Sequence, residues 1–177
     1  MTRPRWVVFA LTGAACAVGV TVTSLAGEIG NLRDLEWFAV LLAMGLTQAE
    51  MWREIERMRR RLGGQTHINV TSVWCLAGIV LLSPGWVALL AATLFAHLWV
   101  RVWRHVSTRP AHRIVASTAG TMLACWAAAV TLHVTGLGGL ADASPDKIHT
   151  AAVVLTAAAA FELFTLLFAA TSIYLYT

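Results

Sequence analysis

The stretch TAAVVLTAAAAFELFTLLFAATSIY, residues 150–174, decides how this chain is read. It holds one acid, Glu162, and no Lys, Arg or His. As a helix rising about 1.5 Å per residue it is roughly 37 Å long, more than the roughly 30 Å hydrocarbon core of a bilayer. Working outward, runs of the same kind recur at residues 6–27, 35–52, 68–82, 86–103 and 114–134. Ser83, Pro84 and Gly85 separate two of these runs as a tight hairpin, because Pro removes a backbone donor and Gly adds backbone freedom. The pattern predicts a single all-α, polytopic membrane domain over 1–177, with six transmembrane helices at those positions.

Composition points the same way. The chain is 58% hydrophobic and 12% charged, about half the charged fraction of an average soluble domain. Arg3 and Arg5 followed by an apolar run look like the start of a signal peptide, but residues 6–27 carry no charge and are long enough to span, so they read as the first crossing. The net charge of +4 does not point to nucleic acid, since the basic residues flank apolar spans and no aromatic–basic recognition motif accompanies them. Cys16, Cys75 and Cys125 are odd in number and lie inside apolar runs, with neither CxxC nor Cys/His metal spacing. They read as small packing residues, and no metal or other cofactor is expected.

Orientation follows from the placement of Lys and Arg, because cytoplasmic loops carry the excess. Arg3, Arg5, Arg53, Arg57, Arg59, Arg60, Arg61, Arg101, Arg104, Arg109 and Arg113 fall on one side, and only Arg33 and Lys147 on the other. Both termini are therefore expected in the cytoplasm, with the protein in a bacterial inner (plasma) membrane. The opposite face carries Glu28, Asp34, Glu36, Asp142 and Asp146, and Gly136, Gly138 and Gly139 lead into its longest loop. Met51, Ile55, Met58 and Leu62 recur at helical spacing, so the second helix is expected to continue past the membrane with one apolar stripe. Its Glu56–Arg60 pair is worth only a few tenths of a kcal/mol, so lipid or protein packing must stabilise the extension. Arg57, Arg59, Arg60, Arg61, Arg101 and Arg104 are the expected contacts to anionic headgroups. The plainer reading is a solvated loop that merely obeys the charge rule.

Glu162 is the leading site residue, because ionisable groups deep in a bilayer are costly and tend to serve function. Leu155, Ala158, Ala159, Thr165, Leu166 and Ala169 share its helical face, and small residues suit contact with other helices, so Glu162 is expected to point into the bundle. Its expected partners are Thr121, Thr131, His133 and His97. One reading has Glu162, Thr165, Thr121, His133 and His97 hold a ligand, cation or proton; the other makes Glu162 a structural carboxyl satisfied by helix–helix hydrogen bonds. His97 stands one turn from Arg101, near the interfacial Trp99 and Trp103, and has no second His or Cys at ligand spacing, so it reads as a helix-bridging hydrogen bonder. His67 and Asn69, followed by Thr71 and Ser72, cap the third span or line a vestibule, and His105 and His112 belong to a basic loop. The small-residue rows Ala15/Gly19/Thr23 and Gly120/Ala124/Ala128 predict tight packing within the chain or between copies. No nucleotide-binding Gly-rich loop, GxSxG or HExxH motif occurs, so no enzymatic activity is expected.

In order, the phrases LEWFAVLLAMG (35–45), REIERMRRRL (53–62), TSVWCLAGIVLLSP (71–84), ATLFAHLWVRVWR (92–104) and RPAHRIVASTAG (109–120) span about two thirds of the chain. Together they resemble the N-terminal membrane region of actinobacterial GGDEF-type signalling proteins. The resemblance implies a sensory or regulatory input module that relays to a cytoplasmic output domain or partner, in that family a diguanylate cyclase. The sequence contains no GGDEF motif, so the cyclase's metal and GTP sites fall on none of its residues. It is then either a free-standing relative of the input module or a piece of a longer protein, with Tyr174 and Tyr176 marking where an output helix would begin. The competing expectations are a small proton- or cation-coupled transporter subunit using Glu162, and a structural membrane partner. Matched repeats with broken spans, as many transporters have, are not evident.

Overall fold

A computed structural model describes residues 3–28, 32–61, 71–103, 111–135 and 147–176. Among them are six α-helices and no strand: α1 Arg3–Glu28, α2 Leu32–Arg61, α3 Thr71–Leu81, α4 Pro84–Leu98, α5 Ala111–Val134 and α6 Lys147–Tyr176. Each falls on one of the six apolar runs. Three contain segments long and apolar enough to cross a membrane, Val7–Glu28, Ile114–Val134 and Ile148–Phe168, while Thr71–Leu81 is a shorter apolar helix. The expected hairpin is present, with α3 ending at Leu81 and α4 beginning at Pro84. Helix α2 runs unbroken to Arg61, as the periodicity predicts. The side chains of 52–61 lie outside the described residues, and with them Arg57, Arg59, Arg60 and Arg61 and most of the predicted apolar stripe.

Helix α4 is the hub. It packs against α1, α2, α3 and α5, and α5 in turn packs against α1 and α6. Val87, Leu90 and Ala91 of α4 are fully covered, as are Cys75 of α3, Cys125 and Ala128 of α5, and Val153 and Ala157 of α6. Small residues let these helices approach closely, which is the main source of cohesion once lipid has removed any hydrophobic advantage of the interior. A Cβ on Gly120 would lie 2.5 Å from the Phe168 ring, so the α5–α6 contact requires glycine there. The row Gly120/Ala124/Ala128 is buried, in agreement with tight packing inside the chain. The row Ala15/Gly19/Thr23 is exposed instead, and nothing lies within 4 Å of a Cβ built on Gly19. The two core thiols, Cys75 of α3 and Cys125 of α5, are both fully buried where these helices pack together.

Much of the outer surface is apolar as well. Leu11, Val18, Val22, Val40, Met44, Leu155, Leu163, Leu166 and Leu167 are all exposed. A protein in water rarely presents so much contiguous apolar surface, and acyl chains are the natural solvent for it.

Candidate functional site

Polar side chains gather at the two ends of the α2–α4 contact. At one end stands Ser83, extended (φ −71°, ψ 160°) just before Pro84 opens α4, with no capping bond from its own side chain. The cap comes from Glu28 of α1, whose carboxylate accepts from the Gly85 N–H at 3.2 Å and from the Ser83 hydroxyl at 2.7 Å. Glu28 closes α1, where the negative pole of its own helix disfavours a carboxylate; the positive pole and unpaired N–H groups of α4 favour it. Gly85 makes the approach possible, since a Cβ there would lie 2.8 Å from both Glu28 Oε2 and the Leu25 nitrogen. Asp34, in the first turn of α2 and only 6% exposed, places Oδ2 at 2.7 Å from the same Ser83 hydroxyl. A hydroxyl carries one hydrogen, so Ser83 donates to one of the two acids at a time, and it ties the end of α1 and the start of α2 to the α3–α4 turn.

At the other end, Glu50 of α2 meets α4 and the π-helical turn Trp99–Trp103 that continues it. Its Oε1 lies 3.3 Å from His97 Nε2 and 3.1 Å from Arg101 Nε. π-Turns recur at functional positions, where the extra residue shifts the register of the adjoining helix; this one carries Arg101. Two further bonds tie helices together between these ends. The Trp74 indole N–H donates to Gln48, joining α3 to α2, and Trp126 Nε1 donates to Ser24 Oγ at 2.9 Å, joining α5 to α1.

The residues expected to form a ligand site do not converge. Glu162 is exposed, and so are Leu155, Ala159, Thr165 and Leu166, which corrects the expectation that this face of α6 points inward. The core face is Val153, Ala157 and Phe161, with Phe164 and Phe168 partly covered, because the larger side chains fill the space left by the small residues of α5. Thr121 and Thr131 donate to the carbonyls of Ser117 and Ala127 one turn back, so their hydroxyls are satisfied locally. His133 is exposed at the end of α5. His97 Nε2 lies 3.3 Å from Glu50 Oε1, across the contact between α4 and α2. Arg101 is exposed and pairs with the same acid, whereas Arg104, His67, Asn69, His105 and the 136–146 loop lie outside the described residues. Among the described residues, no group of three His, Cys, Asp or Glu side chains is placed to hold a metal ion.

Sequence reading missed the Glu28–Ser83–Asp34 cluster. Ser83 is separated from the two acids by 55 and 49 residues, and no local pattern encodes that meeting. The available clue was an acid beside each of two apolar runs, opposite a Ser-Pro-Gly turn whose helix start needs a donor's partner. No family model, curated protein or solved structure matches the chain.

Proposed function

We propose that this chain is a membrane sensory or regulatory module: six spans in a bacterial inner membrane, both termini cytoplasmic, relaying a shift in helix position to a cytoplasmic output protein or domain. The observation that carries this reading is α2. One unbroken 30-residue helix holds Asp34 at its start and Glu50 further along, and then continues through the basic stretch to Arg61. At about 1.5 Å per residue the two acids are roughly 24 Å apart. A stiff helix pinned to the α4 hairpin at both points can carry a displacement from one end of the bundle to its extension, provided that a signal favours two arrangements unequally. The lopsided arginines support the orientation, and the resemblance over residues 35–132 supports the role. The transport reading placed Glu162 inside the bundle, and that residue is exposed on α6.

The test is hydrogen exchange on the intact chain in lipid nanodiscs, comparing wild type with Asp34→Asn and Ser83→Ala. The relay requires that loosening the Ser83 cluster also raises amide exchange severalfold across residues 52–61. Loosening around Ser83 with unchanged exchange at 52–61 means that the two ends of α2 are uncoupled, and the reading fails.

A further inference from the structure

Glu162 lies near the centre of α6, fifteen residues after Lys147 and fourteen before Tyr176. At about 1.5 Å per residue that is roughly 21 Å or more from either end. On a helix of bilayer length, exposure at this position means facing acyl chains, where an unpaired carboxyl is unfavourable. The other acids with described partners, Glu28, Asp34 and Glu50, sit at the ends of helix contacts and are hydrogen-bonded or ion-paired. Thr21, Thr93, Thr118, Thr121 and Thr131 return their hydroxyls to backbone carbonyls of their own helices. Thr165, three residues on from Glu162 and exposed on the same side, makes no such bond, and Glu162 itself has no partner among the described contacts. Two polar side chains on neighbouring turns are thus turned outward and unmatched.

Their chemistry states what would match them. A neutral carboxyl has one O–H and one C=O, so two carboxyls satisfy each other reciprocally. A second copy, inserted in the same orientation and rotated about an axis along the membrane normal, brings its own Glu162 to the same depth without any further coincidence. An unrelated partner would have to supply a polar group at that depth independently. Ala159, one turn before Glu162 and exposed, presents only a methyl group, which permits the close helix approach such a bond needs. We infer that the outward face of α6 is the contact surface of a parallel, two-fold homodimer, closed across the axis by Glu162 and flanked by Thr165. This does not depend on the sensory reading.

Förster transfer between donor- and acceptor-labelled full-length chains in lipid vesicles, titrated by protein-to-lipid ratio, measures the association. Glu162→Leu is expected to weaken it about tenfold, the scale of one good interhelical polar contact. Glu162→Gln, which keeps a donor and an acceptor, should stay within about threefold of wild type. Thr47→Val, on the exposed face of α2, should leave association unchanged. A second measurement keeps Glu162 intact and so does not depend on whether that variant folds. In a background with Cys16→Ser, Cys75→Ala and Cys125→Ala, single cysteines at 155, 159 and 166 should crosslink between copies under oxidation, and cysteines at 153 and 157 should not. A chain that remains monomeric at every ratio, Glu162→Leu associating as well as wild type, or crosslinks without this periodicity would each overturn the inference.

Discussion

Glu28 illustrates how a residue unfavourable in its own helix becomes structural in the next. Its carboxylate ends α1 but accepts from the first free N–H groups of α4, which no side chain of the hairpin itself serves. The arrangement depends on the missing side chain at Gly85 more than on any other single feature. Gly85→Ala should displace Glu28 and the backbone at Leu25, and we expect it to cost about 1–3 kcal/mol, in line with overpacking of close contacts. Thermal unfolding of the detergent-solubilised protein checks this, with Gly19→Ala, where the same methyl meets open space, expected to be neutral or stabilising. A Gly85→Ala protein as stable as wild type would show that α1 and α4 do not meet at this point. The need for a small residue at 85 was legible as a turn signal; its closeness to α1 was not, because the two positions are brought together only by the fold.

At the scale of helices, existence and order were legible, and neighbours were not. Each apolar run became a helix, since length and apolar content are properties of the segment alone. The π-turn after α4 left no mark in the sequence pattern, because WVRVW suits an α-helix equally well. The α3–α5 contact was equally hidden, although Cys75 and Cys125, buried on these two helices, offer a direct check. A membrane-permeant oxidant should join the two into an intramolecular disulfide, while Cys16, which is exposed on α1, remains open to alkylation. Peptide mass mapping reads the result. Joining of Cys16 to either core cysteine, with no Cys75–Cys125 product, would contradict the packing of α3 on α5.

For the whole molecule, the exposed apolar side chains and three segments long and apolar enough to cross a bilayer fit a membrane protein. The six-span topology makes a sharper claim that reporter fusions can decide. Fusions after residues 61, 107 and 177 should report the cytoplasm, and one within 137–146 the opposite side. A fusion after residue 61 that reports the outer side would reverse the orientation and remove the cytoplasmic relay with it.

By itself the sequence determined that the described chain is helical, in what order its helices come, and that three of them hold segments long and apolar enough to cross a bilayer, because hydrophobic length is written locally along the chain. Only the tertiary structure decided which face of each helix turns inward. Helix α6 is apolar nearly all round, so no polar stripe marks its outer side, and its rotation is set by whether Phe161 or Glu162 fits against the small residues of α5. That choice turned Glu162 outward. The same assembly brought Glu28, Asp34 and Ser83 together from distant positions, a meeting that depends on three-dimensional proximity and on no pattern within any one of the three helices.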